Sequence, residues 1–152
     1  MVADLNGLTG FPIETCRRII VKVGSALLVA KDGAVHRDWL ASLVTELAQR
    51  KAAGQQIVVV SSGSIALGAR RLGLPKGGRA TLEDAQASAA VGQIALSQVW
   101  ADLLAIHGIT AAQMLVTLGD LEDRRRYLNA SATLERLIGL GVIPVVNEND
   151  SV

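Results

Sequence analysis

The sequence predicts an α/β fold, a three-layer αβα sandwich built on a mostly parallel open sheet. Short β-branched runs alternate with longer stretches of helical periodicity along the 152 residues. Half of the residues are hydrophobic, yet aromatic residues make up only 3%. Aliphatic strands covered by Ala- and Leu-rich helices have this composition, and the length suits one domain.

The first strand and first long helix have clear local signals. Residues 18–23 form a β-branched run that stops at Gly24, which predicts a buried strand. Lys31-Asp32-Gly33 predicts a turn. Apolar residues then recur at helical spacing over residues 37–53, and Gly54 follows where a left-handed cap would lie.

The same alternation continues to the end of the chain. A loop is expected at residues 74–80, which contain a proline and two glycines. The long Ala-rich helix after it carries small residues on one face, which predicts close packing against another element: Ala85, Ser88, Ala89 and Gly92. We expect strands at 57–60, 109–117 and 142–146, and helices at 65–72, 82–107 and 127–140. Helical crossovers between successive strands favour a parallel sheet with helices on both faces.

Composition excludes several classes of function. Cys16 is the only cysteine, so neither an intramolecular disulfide nor a multi-thiolate metal site can form. The net charge of +1 gives no general attraction for nucleic acid or anionic membranes. Residues 1–12 lack the basic and apolar run of a secretory signal, and no stretch approaches the roughly 20 apolar residues of a membrane helix. We therefore expect a cytoplasmic protein without nucleic-acid or membrane partners.

Three predicted strand ends carry candidate functional residues, because ligands of open α/β sheets bind beyond the carboxyl ends of the strands. The first is Lys22-Val23-Gly24-Ser25. The lysine ammonium and the Ser25 hydroxyl or amide could contact phosphate, and Gly24 would let the backbone approach it. The alternative is a strand-end lysine that merely reaches water.

The second strand end is Ser61-Ser62-Gly63-Ser64, between a strand and a helix. Free N–H groups at a helix N-terminus suit a phosphate or carboxylate. The alternative is a simple serine N-cap. The turn matches neither a Walker A loop nor a G-x-G-x-x-G fingerprint.

The third strand end is Asn147-Glu148-Asn149-Asp150. Its acceptors and amide donors match the ammonium and carboxylate groups of an amino acid, whereas the alternative is an ordinary Asx-rich turn. The charged stretch at residues 120–127 has mixed signs and favours a solvated, internally paired helix entrance over a nucleic-acid patch.

Together these segments resemble the amino acid kinase family, over nearly all of residues 18–152. The matching text includes Ile20-Val21-Lys22-Val23-Gly24-Ser25 and Val58-Val59-Val60-Ser61-Ser62-Gly63-Ser64-Ile65-Ala66. It continues with Ala89-Ala90-Val91-Gly92-Gln93 and closes with Ile143-Pro144-Val145-Val146-Asn147-Glu148-Asn149-Asp150. Gln113-Met114-Leu115, Tyr127-Leu128-Asn129-Ala130 and the final Asn-Glu-Asn-Asp favour the branch that phosphorylates glutamate over acetylglutamate, aspartate or uridylate kinases.

The resemblance implies transfer of the γ-phosphoryl group of ATP, with Mg²⁺, to the side-chain carboxylate of L-glutamate. Lys22 would be catalytic and would contact phosphate together with Gly24 and Ser25. Ser62 and Gly63 would hold the glutamate, and Asn147 and Asp150 would hold its α-amino end. No protein metal ligand is assigned. The resemblance also implies feedback inhibition by proline, and homo-oligomers that pack through the long helix.

The chain departs from the family in extent. Family members continue beyond the position of Val152 with a Gly-Asp-Asn-Asp-type stretch, ATP-binding strands and a second catalytic lysine. We therefore expect residues 1–17 to be an N-terminal extension and residues 18–152 to be an acceptor-binding part without the ATP-binding half, inactive alone. Two alternatives stay open: a non-catalytic module that binds glutamate or proline, and another family member such as an acetylglutamate kinase.

Overall fold

Ten helices and strands make up the computed structural model, which describes residues 12–152. In chain order they are β1 (Arg18–Val23), α1 (Ser25–Leu28), α2 (Arg37–Ala52), β2 (Gln56–Ser61), α3 (Ser64–Leu72), α4 (Leu82–Ala105), β3 (Ala111–Val116), α5 (Leu118–Glu122), α6 (Arg124–Gly139) and β4 (Ile143–Glu148). Short 3-10 turns lie at Ile13–Thr15 and Pro75–Gly78. None of the helices within residues 12–152 is long and apolar enough to cross a membrane.

The four strands form one parallel sheet in the order β1-β2-β4-β3. Lys22 of β1 pairs with Val60 of β2, and Val60 pairs with Val146 of β4. Because every neighbouring pair is parallel, all four carboxyl ends meet at one edge of the sheet. The α/β prediction with a parallel sheet is therefore confirmed.

One face of the sheet carries the main core. Alternate residues of the strands pack against the buried apolar stripes of α2 and α4. Leu40, Leu43, Val44 and Leu47 of α2 are all buried, as their spacing predicted, and each contributes roughly 1.5–3 kcal/mol of burial free energy. Gly54 then takes a left-handed φ of 95°, which ends α2 at the predicted place.

Helix α6 lies on the opposite face, which makes the third layer of the sandwich. Arg18 of β1 donates to Gln56 and forms a 2.6 Å ion pair with Glu135 of α6. Ile20 follows Arg18 by two residues and so lies on this same face, but 65% of it is exposed. Helix α6 therefore covers this face incompletely within the described residues.

Several predicted boundaries are wrong. The charged stretch is already helical: α5 occupies Leu118–Glu122, and α6 begins at Arg124 because the Asp123 carboxylate accepts from the Arg126 N–H. The final strand starts at Ile143 and runs on through Asn147 and Glu148, since pairing with β3 continues to the end of that strand. The short helix α1 was not predicted.

Small residues bring α3 and α4 into backbone contact, as the small face of α4 predicted. A Cβ built at Gly68 of α3 would lie 1.7 Å from the Ser88 carbonyl oxygen of α4. Since no real Cβ can approach that closely, glycine is required at this crossing.

The proposed N-terminal extension is described only in part, because residues 1–11 lie outside the described residues. The interpretation that residues 1–12 are not a secretory signal therefore also falls almost wholly outside the described residues. Ile13 and Cys16 pack against the core. Their carbonyl oxygens accept hydrogen bonds from the Gln55 side chain at 2.8 and 2.7 Å. These hydrogen bonds therefore hold residues 13–16 against the residue that precedes β2.

Candidate functional site

The candidate site lies at the carboxyl edge of the sheet, where the three polar strand ends meet. The Ser62 N–H donates to the Val23 carbonyl at 3.0 Å, which ties the end of β2 to the end of β1. The Asn149 N–H donates to the Val116 carbonyl at 2.8 Å, which ties β4 to β3. Parallel pairing thus gathers residues that are far apart in the sequence.

Lys22 lies one residue before the end of β1, with its side chain exposed. Within residues 12–152 it forms no salt bridge, and its exposure fits both interpretations made from the sequence. Gly24 has an ordinary φ of −72°, and a Cβ there would meet nothing within 4 Å, so the space above it is open. Ser25 begins α1 and is also exposed.

The turn between β2 and α3 depends on Gly63. Its φ of 112° is left-handed, and a Cβ would lie 3.1 and 3.2 Å from methyl groups of Leu28 and Val29. The same Cβ position is 3.9 Å from the Ser25 Cα, so the first and second candidate segments lie side by side. The serine N-cap interpretation is wrong: Gly63 is the N-cap of α3, and no described side chain caps this helix.

The N-terminus of α3 therefore offers backbone donors. The first N–H groups of a helix have no intrahelical partner, and they carry the positive end of the helix dipole. Ser64, the first residue of α3, is buried and lines an adjoining cleft. An anionic group could bind at this point.

The four residues of the third segment have different environments. Asn147 is the fifth residue of β4 and is only 6% exposed, so the prediction that it follows the strand is wrong. Asn149 makes an Asx turn, because its side-chain oxygen accepts from the N–H and hydroxyl of Ser151. The alternative interpretation is therefore correct for Asn149.

Asp150 differs from its neighbours. Its side chain is half-buried and forms no hydrogen bond or salt bridge with the part of the chain that the structure describes. A half-buried, unpaired carboxylate is free to bind a cationic group. It lies in the cleft that Ser64 also lines.

That cleft has a volume of ≈ 540 Å³ and lies between α4 and the ends of β3 and β4. Its polar lining includes Ser64, Gln93, Ser97, Gln113, Glu148 and Asp150. The structure thus places Asp150 and the first residue of α3 on the lining of one cleft. Lys22, Gly24 and Ser25 do not line this cleft, although Ser25 adjoins Gly63.

Gln93 is a residue of this site to which the sequence analysis gave no role. Its side-chain oxygen accepts from the Asn147 Nδ2 at 2.8 Å. The only sequence signal is a polar pair, Gln93 and Ser97, spaced one turn apart among several polar residues of the helix. That spacing does not reveal the partner of Gln93, which comes from β4.

The charged stretch beyond β3 begins a helix that is capped and internally paired, which is the interpretation that its mixed charges favoured. Thr117 and Asp120 form a reciprocal capping box, and Arg126 lies 3.8 Å from the Asp120 carboxylate. Hydrogen bonds from the Thr117 backbone and hydroxyl, with a smaller contribution from Arg126, lower the pKa of Asp120 below its ordinary value. These bonds, together with the Asp123 cap of α6, pair Asp120, Asp123 and Arg126 within the stretch itself.

The donor set for a cation is sparse. Within residues 12–152, no group of three or more His, Cys, Asp or Glu side chains could hold a metal ion. Glu148 and Asp150 supply carboxylate oxygens, the ligand type that Mg²⁺ prefers, but they do not form a cage. No chemical step is therefore assigned to a protein-bound ion here.

Comparison with known proteins places the chain in a family. The model of the amino acid kinase family matches residues 17–152. A glutamate 5-kinase of Sphingopyxis alaskensis is 71% identical over 142 residues, which cover 93% of this chain and 39% of that protein. A glutamate 5-kinase of Novosphingobium aromaticivorans is 67% identical over 91% of this chain and 37% of its own length.

A third relative covers almost the whole chain. The glutamate 5-kinase of Zymomonas mobilis is 62% identical over 150 residues, which cover 99% of this chain and 38% of that protein. The chain therefore spans about two fifths of the length of the curated relatives it matches.

Proposed function

This chain belongs to the amino acid kinase family, and we propose that it is the acceptor-binding part of a glutamate 5-kinase. The reaction would transfer the γ-phosphoryl group of ATP to the γ-carboxylate of L-glutamate. The product, L-glutamyl 5-phosphate, would enter proline biosynthesis. The identity to proteins named glutamate 5-kinase supports this assignment within the family.

One juxtaposition carries the proposal. The unpaired carboxylate of Asp150 and the donor-rich N-terminus of α3 at Ser64 line the same cleft. An amino acid with a free α-ammonium presents a cation and carboxylates, and this pair of groups is complementary in charge to both. N-acetylglutamate lacks the cation and would leave Asp150 without a partner.

The other candidate residues have distinct roles in this proposal. Ser62 and Gly63 hold a substrate carboxylate through the turn before α3, and Asn147 assists Asp150 at the α-amino end. Lys22, with the open backbone at Gly24 and Ser25, offsets charge on the phosphoryl group. Its position on the strand next to the acceptor turn supports this role.

Catalysis of this phosphoryl transfer requires mainly that the reactants are positioned and that negative charge is compensated. A γ-carboxylate oxygen attacks the terminal phosphorus, the bond to the bridging oxygen breaks, and ADP leaves. When bound with ATP, Mg²⁺ would offset charge on the phosphates. A cation such as Lys22 stabilises the negative charge that develops on the transferring group.

Three further properties belong to this proposal. Proline would inhibit by occupying the same cleft, since it also carries an ammonium and a carboxylate. Homo-oligomers would form through α4, where Leu82 is 69% exposed. The reaction would take place in the cytoplasm, which supplies ATP and free glutamate.

The test is ATP-dependent turnover by the protein expressed from its complete coding region. ADP release should depend on L-glutamate, and N-acetyl-L-glutamate should neither replace it nor compete with it. Equal turnover of both acids would contradict recognition of a free ammonium. Saturable glutamate binding without any turnover would favour the non-catalytic module.

A further inference from the structure

Gln93 of α4 contacts the buried side chain of Asn147. The Asn147 Nδ2 donates to the Gln93 Oε1 at 2.8 Å, and the two residues are 54 positions apart in the sequence. Gln93 also lines the candidate cleft, whereas Asn147 lies behind that lining and is nearly inaccessible. Their contact therefore joins α4 to the end of β4 beside the cleft.

A single backbone group sets the direction of this contact. The Glu148 N–H donates to the Asn147 Oδ1 at 2.9 Å, and a backbone N–H can only donate. The oxygen of the Asn147 amide must therefore face Glu148, and its nitrogen must face Gln93. Gln93 in turn has to present its oxygen.

The same logic continues along α4. With its oxygen committed to Asn147, Gln93 directs its Nε2 toward the Ser97 Oγ, 3.4 Å away. The Ser97 hydroxyl lies 2.8 Å from both the Gln113 Oε1 and the Gln93 carbonyl oxygen. Since it has one proton, it donates to either of these acceptors while it accepts from Gln93.

We propose that Gln93 is a positioning residue that fixes the orientation of the Asn147 amide for recognition of the acceptor amino acid. This inference rests on the proposed function. After its two bonds, Asn147 keeps one Nδ2 hydrogen and one Oδ1 lone pair that no described residue uses. A rotated amide would place its oxygen against the Gln93 oxygen and its nitrogen against the Glu148 N–H, and it would release Gln93 from its fixed position in the cleft lining.

The kinetic test uses Gln93→Met, which keeps the side-chain volume and removes the acceptor. In the protein expressed from its complete coding region, the KM for L-glutamate should rise about tenfold, the scale of one lost hydrogen bond. The KM for ATP should stay unchanged. Gln49→Met, on the exposed surface of α2, is the matched control and should change neither constant.

A double-mutant cycle separates positioning from general structural support. If Gln93 acts through Asn147, then Gln93→Met should add nothing to the effect of Asn147→Ala. Additive losses would overturn the inference. So would parallel changes in both KM values accompanied by lower stability, because a merely structural residue would have that effect.

A second readout does not depend on activity. With ¹⁵N-labelled asparagine, exchange of the Asn147 side-chain hydrogens should be at least about tenfold faster in Gln93→Met than in wild type or Gln49→Met. Absence of glutamate-dependent turnover in wild type would defeat the proposed function, while faster exchange would still support the positioning contact. Equal exchange in all three proteins would overturn the inference.

Discussion

Gly92 of α4 lies against the backbone of Ser64, the first residue of α3. A Cβ at Gly92 would come within 1.7 Å of the Ser64 carbonyl oxygen, and Gly68 meets Ser88 at the same distance. Two Ser-x-x-x-Gly segments thus cross in reciprocal contact. The crossing places the α3 N-terminus and Gln93, the neighbour of Gly92, on the same cleft.

Gly92→Ala should destabilise the protein by about 3 kcal/mol, because the helices must separate to admit the methyl group. Urea unfolding measures this change. Gly139→Ala, on α6 where a Cβ meets nothing within 4 Å, is the control and should be neutral or stabilising by about 0.5 kcal/mol. Equal midpoints for Gly92→Ala and wild type would contradict the close approach.

Ser88→Ala should leave stability unchanged or raise it by about 1 kcal/mol. The Ser88 hydroxyl is fully buried and is the only buried side-chain polar atom in residues 12–152 without a hydrogen-bond partner. Ser61 is equally buried, but its oxygen accepts from the Trp100 Nε1 at 2.9 Å. Ser61→Ala should therefore cost about 1–3 kcal/mol. Equal losses for the two variants in chemical denaturation would refute this distinction.

Asp120 should make stability depend on pH in the acid range. Its pKa is lowered from 3.8 by the Thr117 hydrogen bonds, so its contribution is present above about pH 3.8 and is lost as the pH falls through the folded value. The stability gap between wild type and Asp120→Asn should therefore be constant near neutrality and shrink below pH 3.8.

Asp84→Asn is the matched control for Asp120→Asn. The Thr81 hydroxyl oxygen accepts from the Asp84 N–H and caps α4, with the same Thr-x-x-Asp spacing. Within the described structure, however, the Asp84 carboxylate does not accept from the Thr81 N–H. The pH-dependent part of the stability difference from wild type should be smaller for Asp84→Asn than for Asp120→Asn. If the stability difference between wild type and Asp120→Asn grew as the pH fell, the predicted direction of the pH dependence would be wrong.

Asp150→Ala should raise the KM for L-glutamate by roughly 10- to 100-fold, because it removes a charged partner for the ammonium. Folding should be nearly unaffected, since the side chain makes no described polar contact. Steady-state kinetics with a parallel melting curve measure both. Glu122→Ala, an exposed carboxylate on α5, should change neither quantity. An unchanged glutamate KM in Asp150→Ala would remove Asp150 from the site.

Lys22→Met should lower kcat by about 100-fold while the KM for L-glutamate stays within about twofold, because the lysine is proposed to act on the phosphoryl group. Lys31→Met, in the exposed turn before α2, is the control for loss of one positive charge. A glutamate KM that rises while kcat is unchanged would place Lys22 in acceptor binding instead.

Local patterns in the sequence were sufficient for most of the fold. The β-branched run before Gly24 and the helical spacing of Leu40 and Leu47 each gave the correct element, since these signals lie within a few residues. The predicted end of β4 at residue 146 is wrong, because polar residues do not end this strand. Its pairing with β3 extends the strand through Asn147 and Glu148.

For the candidate site too, some features follow from local sequence and others only from tertiary contacts. The order of residues along the chain predicts which strand ends carry polar and glycine residues, and parallel pairing requires those ends to meet at one edge. The turn at Asn149 is local, since its partner is Ser151, and the sequence already offered it as an alternative. Tertiary packing alone buries Asn147 against Gln93 and leaves the Asp150 side chain without a polar partner within residues 12–152. The contact of Asn147 and the unpaired state of Asp150 depend on which side chains approach from distant elements, and neither periodicity nor spacing in one chain encodes such contacts.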